Sequence, residues 1–211
     1  MELYWGNGSP NSWRVMLGLL FKDLDYDDHL LSLPDREHKQ PGYTALNPRA
    51  KVPTLVDGEV VISESIAILA YLDHIVRRDP LFGAMGPDVA RIWREVMEIE
   101  HYLDPAAQSV MRALAFNRWL HPIEDLRREV ATVHKELDRL EANFLGGPFT
   151  AIDCLVVPIL CCLRRVSTRA GASNIGLAPF RIETRWPRLG KRLAEVEALD
   201  GFGRTVPPSW G

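Results

Sequence analysis

Three stretches of this chain bring together side chains able to hold a small charged ligand. In "VISESIAILAYL", Glu64 and Ser65 stand where an apolar helical periodicity begins. A helix N-terminus offers unpaired N–H groups and the positive end of a dipole, which suit a carboxylate. Ser65 adds a hydroxyl donor and Glu64 can receive an ammonium group, so the pair can seat an α-amino-acid head carrying both charges. The plainer alternative is that Ser63, Glu64 and Ser65 only cap the helix, with Ser63 as N-cap. In "GSPNSWRV", Ser9 directly precedes Pro10, a favoured first helical position, so Ser9 reads as a residue facing a helix dipole. Asn11 and Ser12 share that turn. The third stretch, "KVPTLVDGEVVIS", sets Pro53 inside a strand-like run. Proline cannot donate to a ladder, so Pro53 is either an edge residue or part of a turn that holds something.

The elements that must position these residues can be read along the chain. "ELYW" is a short strand, and Val15, Met16, Leu19 and Leu20 recur at helical spacing over 11–22. "LDYDDHLL" predicts a second strand, and "SLPDREHKQPGYTALNPRAK" a long polar connection with room for one short helix. "PTLVDG" and "EVVIS" flank Asp57-Gly58, a strong hairpin signal, and a helix follows through "SESIAILAYLDHIV". "RRDPLFGAMGPD" reads as a linker. Beyond it, strand signals nearly vanish, and helices are predicted over 88–116, 122–144, 151–169 and 185–198. "TAID" has capping-box form, with Thr150 as cap and Asp153 three residues on. The expected architecture is a small α/β domain over 1–78 in the order β-α-β-α-β-β-α, a linker over 79–87, and an all-α helical bundle over 88–211.

Composition narrows the function classes. The 211 residues are 46% hydrophobic and 25% charged with a net charge of −3, an ordinary globular balance with no electrostatic call for nucleic acid. Cys154, Cys161 and Cys162 lie in the apolar run "CLVVPILCCL" without metal-ligand spacing, so they are expected to be buried thiols in a reducing compartment. No histidine pair has metal spacing, and no P-loop or G-x-S-x-G occurs. The N-terminus lacks the pattern of a signal peptide and no apolar stretch approaches the ~20 residues of a bilayer span. A cytoplasmic protein is expected, with neither metal nor membrane as partner.

A proline opening the third strand of such an order resembles the thioredoxin-like folds, in which the preceding peptide bond is cis. There the residue before the proline, here Val52, presents its backbone as an open edge for an extended peptide, a form of β-augmentation. With "NPRAKVPTLVDGEVVISESIAILAYL", "GPFTAIDCLVVPIL" and "RWPRLGKRLAEVEAL" in this order, the chain resembles the cytosolic glutathione transferases over nearly its whole length, closest to their serine-type (theta-like) members.

That resemblance implies a ligand and a set of roles. Glutathione would pair its cysteinyl backbone with Val52 beside Pro53, and its γ-glutamyl group with Glu64 and Ser65. His38, fourteen residues before Val52, would meet the glycyl end with Lys39 as a second cation. Ser9 matches the serine that stabilises the thiolate, and Asn11 and Ser12 are further candidates. A hydrogen bond to sulfur favours the charged form of a thiol whose ordinary pKa is ~8.5. Tyr4 lies within a strand and is expected to be packed. No cysteine occupies the Ser9 loop, which argues against thiol transfer, and the Ser-Ser-Cys run of the zeta class reads Ser-Pro-Asn here. An electrophilic second substrate would meet His101, Tyr102, Met111, Leu114 and Trp119 on the helical domain. A homodimer is implied, with Glu98, Glu100 or Asp104 available to complete a partner's site. The implied activity is glutathione S-transfer in detoxification. The alternatives are a non-catalytic scaffold of the same fold, or a specialised dehalogenase, ether-cleaving enzyme or peroxidase using glutathione.

Overall fold

The computed structural model describes residues 1–115, 122–144 and 146–208. Its sheet is built from β1 (Glu2–Gly6), β2 (Asp27–Leu31), β3 (Thr54–Asp57) and β4 (Val60–Ser63) in the order β2-β1-β3-β4. β1 and β2 run parallel, joined by the crossover helix α1 (Pro10–Phe21), whereas β3 is antiparallel to both β1 and β4. A 3-10 turn (Glu37–Lys39) and the short helix α2 (Pro41–Thr44) fill the long connection, and α3 (Ser65–Ile75) follows β4. This is a thioredoxin-like domain with the expected element order.

Strand alternation decides which residues of β1 turn inward. Leu3 and Trp5 are buried, while Tyr4 between them is partly exposed. Val15, Leu17 and Leu19 of α1 and Ile68, Leu69 and Leu72 of α3 complete the core. Gly18 lets these helices approach: a Cβ there would lie 2.2 Å from Leu69 Cδ2. The Asp57-Gly58 hairpin forms as expected, with Asp57 paired to Val60 and Gly58 at φ 58°. Ser63, in contrast, does not cap α3. It ends β4 in register with Thr54, and Glu64 takes the N-cap position at φ 72° with no side-chain cap bond. The ladder claims Ser63 before the helix can.

Among the described residues, helices alone follow: α4 (Gly86–Glu98), a π-helical turn (Ile99–Leu103), α5 (Asp104–Ala115), α6 (Ile123–Asn143), α7 (Ala151–Val166), a 3-10 turn (Ser173–Ile175), α8 (Ile182–Arg185), α9 (Pro187–Glu197) and α10 (Phe202–Thr205). One predicted helix over 88–116 is thus two segments joined by a wider turn. The helix predicted to 169 stops at Val166, and the one predicted from 185 starts at Pro187, because proline fits a first turn and not an interior. Cys154 through Leu163 are buried without a break, which is why this stretch of α7 shows no period. The Asp153 carboxylate accepts from Thr150 N–H at 2.8 Å, one half of the capping box read from "TAID". No described helix is long and apolar enough to cross a membrane.

The chain forms two compact units. One comprises Met1–Ile92, Pro148–Cys154 and Asp200–Gly211; the other comprises Trp93–Gly147 and Leu155–Leu199. In the first, the fully buried Lys22 Nζ meets Asp73 Oδ1 at 2.7 Å and donates to the carbonyls of Val76, Arg78 and Asp79. Asp73 also accepts from the amides of Leu81 and Phe82. One buried ion pair thereby ties the exit of α3 to the segment read as a linker. In the second unit, Arg139 of α6 gathers Glu95, Glu98 and Glu136. His134 lies among Phe180 and Trp186, at 6.5 and 5.6 Å between centroids.

Replacing Lys22 by Met removes one partner of a buried pair and strands three carbonyls. This is expected to cost on the order of 3–5 kcal/mol. The shift of the denaturant midpoint checks it, and an unchanged midpoint would remove Lys22 from this role. His134 supplies a pH dependence. Burial, then Arg185, lowers its pKa below 6.5, with Asp138 opposing. The folded state therefore binds this proton less readily than the unfolded chain, so stability should fall as pH drops from about 6.5 toward the depressed value. In His134→Gln, thermal melts across that window should lose this part of the slope.

Candidate active site

The sheet register gathers the predicted ligand residues at one end. β1 closes at Gly6, β2 closes beside it at Leu31, β3 opens at Thr54 and β4 closes opposite Thr54 at Ser63. The loop carrying Ser9, the connection carrying His38 and Lys39, the Val52–Pro53 turn and the Glu64-Ser65 step all leave from that same end. The N-termini of α1 and α3 open there too, adding two positive dipole ends.

Ser9 is the N-cap of α1, with its Oγ accepting from Ser12 N–H at 3.3 Å. That bond uses a lone pair and leaves the hydroxyl proton free. Among the described residues it donates to no acceptor. Ser12 is 1% exposed and its Oγ accepts from Gly6 N–H at 3.4 Å, so it braces the turn from within. Asn11 Oδ1 is buried and meets no partner among the described residues. The same holds for His38 Nδ1, whereas Lys39 is exposed. A buried polar atom without a partner is costly, so a ligand or water that supplied one would be held there. Tyr4 is occupied elsewhere: it stacks on His29 at 4.5 Å and its hydroxyl donates to Glu2 at 3.0 Å. Burial, then Glu2, pushes its pKa up.

The Val52–Pro53 bond is cis. A buried polar cluster pins this turn from behind. Tyr43 Oη donates to the Lys51 carbonyl and lies 2.8 Å from Thr54 Oγ1. Asn47 Nδ2 reaches the same carbonyl at 2.8 Å and the same hydroxyl at 3.2 Å. Residues 51 and 54 are thus held on both sides of Val52 and Pro53.

Ser65, 7% exposed, opens α3, and its Oγ accepts from Arg14 Nη1 at 3.5 Å. Arg14 is fully buried, so a guanidinium of α1 stands behind the first turn of α3. Glu64 is exposed, and a non-glycine residue at φ 72° is uncommon and clusters where a side chain is being aimed. No side chain caps α3, which leaves its first amides open to a carboxylate.

On the second unit, His101 and Tyr102 are exposed on the π turn, with His101 Nδ1 2.7 Å from Met97 O. Met111 and Leu114, 8% and 6% exposed, close into the helical core. Trp119 lies outside the described residues. Glu98 belongs to the Arg139 cluster, and Asp104 accepts from Gln108. The three thiols are buried, with Cys161 pushed up to about 12 chiefly by burial, so none is a nucleophile.

Sequence reasoning missed Arg14, Tyr43, Asn47 and Thr54. Arg14 carried a signal, a charge on the buried face of "WRVMLGLL". The other three are polar residues in a polar connection, and only their burial marks them.

Comparison with known proteins gives the family. The family model described as "Glutathione S-transferase, N-terminal domain" matches residues 8–75. "Glutathione S-transferase 3" of Zea mays is 32% identical, with 99% of this chain and 97% of that protein covered. "Maleylacetoacetate isomerase" of Pseudomonas aeruginosa is 29% identical, with 99% and 96% covered. The crystal structure of a glutathione S-transferase from the Antarctic clam Laternula elliptica superposes with a TM-score of 0.78 at 26% identity, covering 99% of this chain and 93% of that one. The chain belongs to the glutathione S-transferase family.

Tyr43→Phe leaves Asn47 as the only side-chain donor to the Lys51 carbonyl among the described residues and takes one partner from the Thr54 hydroxyl. A loss of about 1–2 kcal/mol is expected, as for a buried hydrogen bond with a stranded partner. Hydrogen exchange should quicken at residues 51–54 beyond the global change, and unaltered local protection would contradict the bracing role.

Proposed function

We propose that this protein is a serine-type glutathione S-transferase that holds glutathione at residues 1–78 and activates its thiol through Ser9. The observation that carries this is the Ser9 hydroxyl. It caps α1 as an acceptor while its proton stays available, so one group can orient the turn and donate to sulfur at a positive helix end. Ser12, closed inside the turn, is not offered as the donor. Asn11, with its partnerless oxygen, is the second polar group beside the thiol.

The rest of the tripeptide follows the resemblance. The Val52 backbone pairs with the cysteinyl residue, Glu64 takes the γ-glutamyl ammonium, and Ser65 with the open amides of α3 takes its carboxylate. His38 and Lys39 meet the glycyl carboxylate. A donated hydrogen bond and positive potential together lower the thiol pKa, each unit being about 1.4 kcal/mol. The thiolate then adds to a moderately apolar electrophile held near 88–211, where His101 and Tyr102 are the exposed members of the predicted set. Proximity and thiolate stabilisation supply the catalysis. We place the protein in the cytoplasm as a homodimer, as the family resemblance implies.

A second reading rests on the isomerase relative. There glutathione would add to a substrate and leave again, so turnover would not consume it. Counting glutathione per product separates the two.

Ser9→Ala should raise the pKa of bound glutathione by about 1–2 units and cut kcat/KM near neutral pH about 10–100-fold. Affinity for glutathione should change far less. Titration calorimetry combined with the ultraviolet absorbance of the thiolate checks both quantities. A wild-type protein that fails to bind glutathione at millimolar concentration would instead be a scaffold. Binding with an unshifted thiol in both proteins would exclude Ser9 as the donor.

A further inference from the structure

The first unit holds a second recess, distinct from the Ser9 end of the sheet. It is a cavity of about 310 Å³, and none of Ser9, His38, Val52, Glu64 or Ser65 lines it. Its contributions from α1 are Met16 and Leu20, seven and eleven residues beyond Ser9. At 1.5 Å per residue they lie roughly 10–16 Å further along the helix. The volume is at the small end of ligand pockets, which run from about 300 to 1,000 Å³, and suits a metabolite of leucine size.

The lining is amphipathic and carries both signs of charge. Met16, Leu20 and Leu24 form an apolar floor, flanked by Trp5 and Tyr26. Asp25 and Asp28 come from the approach to β2 and its start, and Arg204 comes from α10 in the C-terminal segment. Asp28 Oδ2 accepts from Trp5 Nε1 at 3.2 Å, which fixes that carboxylate at the rim. Among the described residues, neither Asp25 nor the Arg204 guanidinium is engaged by another side chain. Both charge types line the one recess. The C-terminal segment is anchored beside the recess: Trp13 Nε1 donates to Thr205 Oγ1 at 2.9 Å and its ring lies 6.2 Å from Phe202. Gly201, at φ 85°, keeps the wall open, since a Cβ there would come within 3.2 Å of the Arg204 guanidinium and 3.1 Å of Leu20.

We propose that this recess binds a small apolar α-amino acid, with its carboxylate on Arg204, its ammonium between Asp25 and Asp28, and its side chain over Met16, Leu20 and Leu24. The choice follows from the charges. An organic anion would be set against two carboxylates, and an organic cation against Arg204, like charge beside like charge. A zwitterion answers both, and the apolar floor then rewards a branched or aromatic side chain over glycine.

Calorimetric titration of the full chain with L-leucine tests this, with isoamylamine and isovalerate as its single-charge counterparts. Leucine should bind, and each counterpart should bind at least about tenfold more weakly, equivalent to 1.4 kcal/mol. Arg204→Met and Asp28→Asn, both at exposed positions, should each weaken leucine binding by a similar factor while glutathione binding is unchanged. Glu64→Gln should weaken glutathione binding and leave leucine binding intact. The proposal is overturned by any of three results: no leucine binding at millimolar concentration, isoamylamine or isovalerate matching leucine, or leucine binding that is unchanged in Arg204→Met. Loss of leucine binding in Glu64→Gln would then place the amino acid at the α3 N-terminus.

Discussion

An open strand edge is the feature on which the ligand-binding end depends, and open edges are hard to hold still. In the proposed reading, the backbone at Val52 stays unpaired within the protein so that the tripeptide can pair with it, and a loop without ladder bonds has little of its own to fix it. Tyr43, Asn47 and Thr54 provide the missing constraint from the buried side. They satisfy the Lys51 carbonyl and one another, so the turn is held by side chains while its outer edge stays free. A buried polar network of this kind is rigid only when every member is satisfied, and that requirement ties α2 and its loop to β3.

The groups that would meet the ligand are then collected by topology. Strands β1 and β2 end where β3 begins and β4 ends, so two helix N-termini and two loops emerge side by side. This brings positive potential to one place, beside the exposed Lys39 and Lys51. Arg14 reinforces it from inside the fold, where its bond to Ser65 couples the start of α3 to the helix that Ser9 caps. Capping and the proposed thiol activation are compatible in one residue, because an acceptor bond at the serine oxygen leaves its proton to be used.

Buried charge elsewhere serves connection. Lys22 and Asp73 fasten the chain leaving α3, and Arg139 of α6 binds α4 through two carboxylates, Glu95 and Glu98. Both links span residues far apart in sequence, and each would leave an uncompensated charge if broken. Neither stood out in the sequence.

Local chemistry made much of the fold and most of the ligand end legible in advance. The strand order around Asp57-Gly58, the start of α1 at Ser9-Pro10, the cap at Thr150 and the Val-Pro step before β3 all depend on neighbours in the chain. Four or fewer residues suffice to define such features. The sequence by itself also set the candidates for the ligand contacts, through the matched order and spacing of Ser9, His38, Val52, Glu64 and Ser65. Tertiary structure alone decided how several of these residues are used. Ladder pairing took Ser63 from the helix and put Glu64 at positive φ, burial separated Ser12 from Ser9, and core packing closed Met111 and Leu114 inward while leaving Tyr102 outside. Those outcomes turn on competition for partners and on exclusion from water, which are properties of residues brought together from distant parts of the chain.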